Sequence, residues 1–385
     1  MKWLYSINQI ISEHWQTIQQ AGQFNSFELY HLNQLRKCRT AELGGHINAC
    51  DQCGHFQIAY NSCRNRHCPS CQGLKREEWI IKQEANLLPV PYFHVVFTLP
   101  AQLNGLCMAH PRLMYALLFR CAQQTINAFA KDPKFLGAKT GMTAVLHTWG
   151  QNLSLHPHLH CIIPGGGIDH KGNWKPTRSQ GKYLFPRNAL RKVFKGKFMA
   201  ELKDLANKGT ICLPDSLKEQ LYRKKWVVYA KRPFANPSAV IEYLGRYTHK
   251  VAISNFRIKN VTPTHVTFEW KDYRIGGKKG LIILPILEFL RRFCLHFLPD
   301  RFQRIRHYGI LSSRGRACYI PNLQHALGMP ILRLSKDQIR IKALAKMNIN
   351  NACPCCKQGT LRAILPFGRD GPPDETYMLQ AICRM

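Results

Sequence analysis

The alternation of hydrophobic and polar positions predicts both strands and helices along the chain. Residues 92–99, YFHVVFTL, are rich in β-branched and aromatic side chains, which is typical of a buried strand. Residues 73–88 and 105–130 carry apolar positions at helical spacing, and residues 226–230 predict another strand. This order favours an α+β fold with a central antiparallel sheet flanked by helices.

The second half of the chain also predicts both helices and strands. Residues 188–205 predict a basic helix, and residues 249–258 and 264–270 predict strands that complete the central sheet. Residues 287–302 predict a further helix, and residues 307–314 predict a polar, basic loop that contacts DNA or is a plain surface loop.

The most informative pattern is a row of histidines in the apolar run LHPHLHCII. In an extended strand, His156, His158 and His160 share one face, and the apolar residues between them share the other. Imidazoles arranged in this way are typical of a metal site. His158 and His160 are the primary ligand candidates, and His156 either faces a substrate phosphate or caps the start of the strand.

Two imidazoles do not complete a catalytic divalent-metal site, so a third ligand is expected. His147 lies on the preceding apolar run, which can pair with the histidine strand through the loop 150–154. Gln151 is the alternative ligand, and the sequence leaves the choice open.

Charge and cysteine content narrow the function classes. The 385 residues include 55 Lys and Arg against 22 Asp and Glu, a formal net charge of +33 that favours a polyanionic partner such as nucleic acid. The N-terminus lacks the apolar core of a signal peptide, and no apolar run reaches membrane-spanning length. We therefore expect a cytoplasmic protein without a membrane partner, in which cysteine clusters bind metal rather than form disulfides.

Cysteine pairs predict structural zinc. Cys50 and Cys53 form one CxxC pair, and Cys68 and Cys71 form another; together they supply four thiolates for one tetrahedral zinc. A second, interleaved zinc site would use Cys38, His46, Cys63 and His67, unless these are ordinary buried cysteines and hydrogen-bonded histidines. Near the C-terminus, Cys353 and Cys356 form only half of a zinc knuckle.

Two tyrosines lie four residues apart in the segment SAVIEYLGRYTHKVAIS, where Ser238 is a candidate helix N-cap. On a helix, Tyr243 and Tyr247 share one face, which is the arrangement of either a packing ridge or a pair of nucleophiles. A phenolate can displace a sugar oxygen at a phosphodiester if a nearby cation neutralises the developing charge. Arg246 and Lys250 are placed to grip phosphates.

Three motifs together, NSCRNRHCPSCQ, HTWGQNLSLHPHLHCIIPGGG and YLGRYTHKVAISN, resemble those of the two-tyrosine HUH transposases of the insertion-sequence 91 type. The resemblance covers roughly residues 10–320. It implies an N-terminal zinc-binding domain followed by an HUH nuclease domain, with His158 and His160 as the metal motif and Tyr243 and Tyr247 as nucleophiles. It also implies rolling-circle-type transposition on single-stranded DNA, with a 5′-phosphotyrosine intermediate and Mg²⁺ or Mn²⁺.

These expectations give three consecutive domains: a helical and zinc-binding DNA-recognition domain (1–90), the nuclease domain (91–285) and a basic helical region (286–385). Expected partners are single-stranded DNA at element ends and target, and the host replication machinery at a bacterial nucleoid. A replication-initiator or relaxase-type nickase, a non-catalytic zinc DNA-binding regulator and a hydrolase using metal-activated water are the alternatives. The sequence contains no GxxxxGK[ST] loop of a linked helicase, which disfavours the initiator class.

Overall fold

The computed structural model describes residues 4–373 except 180, 231–233, 235–238, 241–242, 244, 246–250 and 273–275. The α-helices of these ranges are α1 Ile7–Glu13, α2 Trp15–Gln20, α3 Ser26–Arg36, α4 Gly73–Glu84, α5 Asn104–Ala109, α6 Pro111–Lys131, α7 Arg187–Asn207, α8 Asp215–Arg223, α9 Ile286–Cys294, α10 Ser313–Ala326 and α11 Lys336–Lys346. None of them combines the length and hydrophobicity that crossing a bilayer requires.

The strands of the same ranges are β1 Gly45–Cys50, β2 Phe56–Tyr60, β3 Tyr92–Thr98, β4 Gly141–Trp149, β5 Leu155–Pro164, β6 Gly166–Ile168, β7 Trp174–Pro176, β8 Val227–Ala230, β9 Ile258–Val261, β10 His265–Asp272, β11 Lys278–Pro285, β12 Ile305–Gly309 and β13 Leu361–Phe367. They pair antiparallel throughout. The expected α+β class, with a central antiparallel sheet flanked by helices, is confirmed.

The chain forms two compact units that are not consecutive in sequence. One contains residues 1–78, 249–294 and 337–385, and the other contains residues 79–248 and 295–336. This division differs from the three consecutive domains expected from the sequence, because late segments of the chain return to pack with early ones.

A five-stranded sheet in the order β12-β4-β5-β3-β8 organises the second unit. Successive side chains of each strand point to opposite faces of the sheet. Phe93 and Phe97 of β3 therefore face the same side as Leu159 of β5, where α6 and α7 cover them. The ring of Phe97 lies 4.9 Å from that of Phe194 on α7. Burying each such side chain contributes about 1.5–3 kcal/mol to the stability of the fold, so these contacts keep the helices packed on this face of the sheet. The opposite face carries apolar residues of a second buried cluster, such as Val145 and Ile162, as well as several histidines.

The hairpin of β4 and β5 forms as expected from the apolar runs on both sides of the loop 150–154. Its turn is closed by a hydrogen bond from the Gly150 amide to the Ser154 carbonyl, and Leu153 takes a positive φ of 62° within it. The register places His147 directly opposite His158. The loop therefore determines which side chains meet across the hairpin.

Two other expectations about this half of the chain are wrong. Of the strand expected at 249–258, residues 249–250 lie outside the described residues, and residues 251–257 are loop and a 3-10 turn. Strands β9, β10 and β11 form a separate three-stranded sheet in the first unit instead of completing the central sheet. Phe268 of β10 packs 5.7 Å from Phe289 of α9, so these strands have an apolar partner of their own. The expected loop at 307–314 consists of the edge strand β12 and the start of α10, whose N-cap is Ser312.

Candidate functional site

Three histidines converge on the face of the central sheet opposite the helices α6 and α7. His147 comes from β4, and His158 and His160 come from β5. One ring nitrogen of each lies within 4.8 Å of those of the other two. His147 and His160 are buried, and His158 is half-buried. This group, which we call the histidine triad, has the donor atoms and the spacing needed to hold a divalent metal.

Hydrogen bonds define the tautomer of His158. Its Nδ1 lies 2.6 Å from the carbonyl oxygen of His156, so Nδ1 carries the proton and Nε2 presents a lone pair. Burial lowers the pKa of His158 to about 4, which keeps the ring neutral at pH 7. The Nε2 atoms of His158 and His160 are 3.2 Å apart. A proton or a metal ion shared between them relieves the repulsion of two lone pairs at this distance.

The ring of His147 is oriented by an aromatic neighbour on its own strand. The imidazole stacks on the indole of Trp149, with centroids 4.4 Å apart and planes at 18°. Gln151, the alternative third ligand, lies in the turn that follows β4. His156 is exposed; its carbonyl oxygen accepts the hydrogen bond from His158, and its ring lies 5.1 Å from that of His158.

His94, which the sequence pattern did not indicate as a site residue, joins the histidine triad to a tyrosine. This residue of β3 is only 2% exposed, and its ring stacks on that of His160 with planes at 10°. His94 Nε2 lies 2.9 Å from His160 Nδ1, and His94 Nδ1 lies 3.4 Å from the hydroxyl oxygen of Tyr243. A single imidazole therefore connects a candidate metal ligand to a candidate nucleophile.

The tautomers along this connection are linked. If His160 presents Nε2 to a metal, its Nδ1 carries the proton and donates to His94 Nε2. His94 then carries its proton on Nδ1 and donates to the oxygen of Tyr243. The one signal in the sequence was a histidine within an otherwise apolar strand, where a buried imidazole must find hydrogen-bond partners.

Tyr243 is half-buried, with its ring edge-on to His94 at 5.0 Å and packed 5.1 Å from Phe234. These contacts hold the phenol ring at the histidine triad. Tyr247, Arg246 and Lys250, the other predicted site residues of this segment, lie outside the described residues.

Eight of the described cysteines form two groups of four, and the expected pairing of the two CxxC motifs is wrong. Cys68 and Cys71 join Cys38 and Cys63, and the four sulfurs lie within 4.8 Å of one another. We call these residues the N-terminal cysteine group. The sulfurs of Cys38 and Cys68 are 3.6 Å apart, and those of Cys63 and Cys71 are 3.8 Å apart.

Cys50 and Cys53 join a different set, which we call the two-segment cysteine group. Its other members are Cys353 and Cys356, some 300 residues later in the chain. The half knuckle near the C-terminus is therefore completed by Cys50 and Cys53, which the sequence predicted to share a zinc with Cys68 and Cys71. Strand β1 ends at Cys50 and is flanked by β2 and β13, so the sheet brings the distant segment to the first pair.

The expected ligands His46 and His67 belong to neither group. His46 lies within strand β1, and His67 is buried with its ring 5.3 Å from that of His31. The predicted zinc site with two cysteine and two histidine ligands is wrong, because Cys38 and Cys63 are grouped with Cys68 and Cys71 instead.

Two families of known proteins match this chain, each over a different range of residues. The family described as "Putative transposase" matches residues 141–318, and that described as "Transposase zinc-binding domain" matches residues 10–99. "Putative transposase y4qJ" of Sinorhizobium fredii (strain NBRC 101917 / NGR234) is 42% identical over 361 residues, covering 89% of this chain and 90% of the relative. "Transposase for insertion sequence element IS801" of Pseudomonas savastanoi pv. phaseolicola is 29% identical over 339 residues, covering 86% of this chain and 80% of the relative. No solved structure matches the chain.

Proposed function

This chain belongs to the insertion-sequence 91 family of transposases, and we propose that it cleaves and rejoins single-stranded DNA through a 5′-phosphotyrosine intermediate. The observation that carries the proposal is the contact from Tyr243 through His94 to the histidine triad. A tyrosine held only for packing has no need of a histidine that also contacts a metal-binding group.

The proposed nucleophiles are Tyr243 and Tyr247. The tyrosine hydroxyl gives up its proton, its oxygen bonds to phosphorus, and the bond between phosphorus and the 3′ oxygen breaks. The released 3′ oxygen takes up a proton, and the 5′ phosphate stays on the tyrosine. The tyrosyl phosphodiester conserves the bond energy, so a 3′ hydroxyl can reverse the reaction and rejoin DNA. Two tyrosines would allow one strand to be held while another is cut.

His147, His158 and His160 would hold Mg²⁺ or Mn²⁺. The neutral ring of His158 and the converging nitrogens of the three residues fit a divalent cation. When bound, the metal ion supplies a Lewis acid that withdraws charge from the scissile phosphate. His94 keeps the ring of His160 in the tautomer that binds metal, and it orients the hydroxyl of Tyr243.

DNA would be gripped by basic groups around this site. We propose that Arg246, Lys250 and His156 contact phosphates of the bound strand, and the exposed ring of His156 beside the triad is consistent with this role. The net charge of +33 supports binding to a polyanion.

The N-terminal cysteine group is proposed to hold the zinc of the zinc-binding domain. All four residues fall within the matched range 10–99, and thiolates at these separations suit tetrahedral Zn²⁺. We propose that this domain recognises the ends of the mobile element. Removing residues 1–75 should abolish end-specific binding, and unchanged end-specific binding would contradict the assignment.

Covalent trapping tests the proposal. Labelled single-stranded DNA from the flanks of the gene is incubated with the protein and Mn²⁺, and products are separated on a denaturing gel. The variants are Tyr243→Phe, Tyr247→Phe, the double variant and His158→Ala. His296→Gln is the matched control, because His296 is a buried histidine that is not a member of the triad; it contacts Thr148, Leu153 and the edge of Trp149.

A DNA–protein adduct that persists in His296→Gln and is lost in both the double tyrosine variant and His158→Ala is the expected result. Cleavage without an adduct would point to metal-activated water, and binding without cleavage of any strand would point to a non-catalytic regulator. The two single tyrosine variants would show which residue carries the first cut.

A further inference from the structure

The C-terminal segment joins the first unit through strand pairing beside the two-segment cysteine group. Strand β13 pairs antiparallel with β1, with Leu361 opposite Cys50. Asp51 reinforces the junction, since its carboxylate accepts a hydrogen bond from the Thr360 amide at 2.8 Å and forms an ion pair with Arg362 at 3.2 Å. The segment is therefore held against the first CxxC pair by its backbone as well as by its cysteines.

The two CxxC turns of this group have the same hydrogen bonds. In the first turn, the Gln52 amide donates to the Cys50 sulfur at 3.4 Å, and the Gly54 amide donates to the Cys50 carbonyl at 3.3 Å. In the second turn, the Cys355 amide donates to the Cys353 sulfur at 3.4 Å, and the Lys357 amide donates to the Cys353 carbonyl at 3.1 Å.

The backbone repeats as well as the hydrogen bonds. Gly54 and Lys357, which directly follow the second cysteine of each turn, both have positive φ angles, 68° and 60°. Amides that donate to sulfur favour the thiolate over the thiol. Two unrelated segments have thus folded into the same thiolate-presenting turn, and the turns face each other.

The sulfur separations match a tetrahedral zinc. Zinc–sulfur bonds of about 2.3 Å in a tetrahedron give sulfur–sulfur edges of about 3.8 Å. The sulfurs of Cys50 and Cys356 are 3.7 Å apart, and those of Cys53 and Cys353 are 3.6 Å apart. A disulfide needs about 2.05 Å, so these cysteines are not arranged as disulfides.

Close packing at Gly359 is consistent with a zinc site formed by the two segments. The Gly359 amide donates to the Cys356 sulfur at 3.3 Å, and a Cβ at this position would collide with the sulfur of Cys50. A glycine is needed where the second segment passes over the first.

We propose that Cys50, Cys53, Cys353 and Cys356 bind a structural Zn²⁺, additional to that of the N-terminal cysteine group, which fastens the C-terminal segment to the zinc-binding domain. Cys353 and Cys356 lie outside both family matches. The zinc-binding domain is therefore discontinuous, and it needs a segment that follows the nuclease region to complete its metal site. This inference rests on the cysteine geometry and is independent of the proposed nuclease chemistry.

Zinc content and cysteine protection test the proposal on the full chain. Metal per chain is measured for the unaltered protein, for Cys353→Ser/Cys356→Ser and for Cys355→Ser. The last is the matched control, because Cys355 is exposed and belongs to neither cysteine group. We expect the double variant to lose one zinc per chain and the control to lose none.

A second measurement does not depend on the variants folding. The zinc-loaded, unaltered protein is treated with an alkylating reagent, and modified cysteines are identified by peptide mass. We expect rapid modification of Cys355 and protection of Cys353 and Cys356 until a chelator removes the metal. Equal zinc content in all three proteins, or modification of Cys353 and Cys356 as fast as Cys355 with zinc retained, would overturn the proposal.

Discussion

Replacement of His94 is the sharpest perturbation of the proposed site, because this residue contacts both halves of it. His94→Phe keeps a ring of similar size in a position that is 2% exposed, yet it removes both hydrogen-bonding nitrogens. His160 Nδ1 then loses an acceptor at 2.9 Å, and Tyr243 loses a donor at 3.4 Å. The expected effects therefore divide between metal binding and reaction rate.

The magnitude follows from the burial of His160, which is 7% exposed. Leaving a buried donor without its partner costs about 1–3 kcal/mol, or roughly 5- to 150-fold in an equilibrium constant. Loss of a group that orients a metal-binding histidine typically costs about 10–100-fold in affinity. We expect Mn²⁺ to bind His94→Phe about 10–100-fold more weakly. His94→Gln should recover much of the loss, because its amide can both accept and donate.

The assay is titration of Mn²⁺ in the absence of DNA, followed by the rate of adduct formation at saturating Mn²⁺. If His94 only supported the fold, the folded variant would keep the Mn²⁺ affinity and the adduct rate of the unaltered protein. His296→Gln controls for the loss of any buried histidine. His94 also contacts Tyr243, so the adduct should form more slowly even when metal is saturating. If folded His94→Phe bound Mn²⁺ and formed adduct as the unaltered protein does, His94 would have no role in orienting His160 or Tyr243.

Three further predictions concern the second unit. His147→Ala should weaken Mn²⁺ binding, whereas Gln151→Ala should not, as measured by titration; the reverse result would identify Gln151 as the third ligand. Burial lowers the pKa of His296 to about 4, so the unfolded state takes up a proton first, and stability falls as pH drops from 6.5 towards 4. His296 alone would account for up to about 3 kcal/mol of this loss. In chemical denaturation, His296→Gln should therefore make the pH profile less steep, and a slope should remain because burial lowers the pKa of His158 and of His307 to about 4 as well. Gly309→Ala, with φ 60° and a backbone carbonyl in the path of the new Cβ, should lower the melting temperature more than Gly328→Ala, whose φ is 69° but whose Cβ would meet open space.

The hairpin that carries the histidine triad could be predicted from the sequence because its determinants are local. The alternation of His158 and His160 with apolar residues fixes their common face, and the short turn brings His147 opposite. The helices flanking the sheet were likewise visible in the apolar spacing.

The cysteine pairing could not be predicted, because sequence spacing alone does not show which pairs meet. Two CxxC motifs 14 residues apart are a standard zinc pattern, yet strand β13 inserts a distant pair beside Cys50. That insertion depends on strand pairing between residues some 300 positions apart, for which the local pattern holds no signal. The same return of late segments explains why the compact units cut across the expected domain boundaries.

His94 was missed for a different reason. Its strand was correctly expected to be buried, but a lone histidine in an apolar strand carries no sign of its partners. The register of β3 against β5 pairs His94 with Ile162 and thus places it diagonal to His160 on the same face, where the two rings stack.

Covalent attachment of DNA to a tyrosine can be read directly by mass-spectrometric mapping of the protein after reaction with single-stranded DNA and Mn²⁺. After nuclease and protease digestion, we expect a peptide that carries a nucleotide through a 5′ phosphate on Tyr243 or Tyr247. The same peptide should be absent from His158→Ala. Cleaved DNA bearing free 5′ phosphates, with both tyrosines unmodified, would contradict the account.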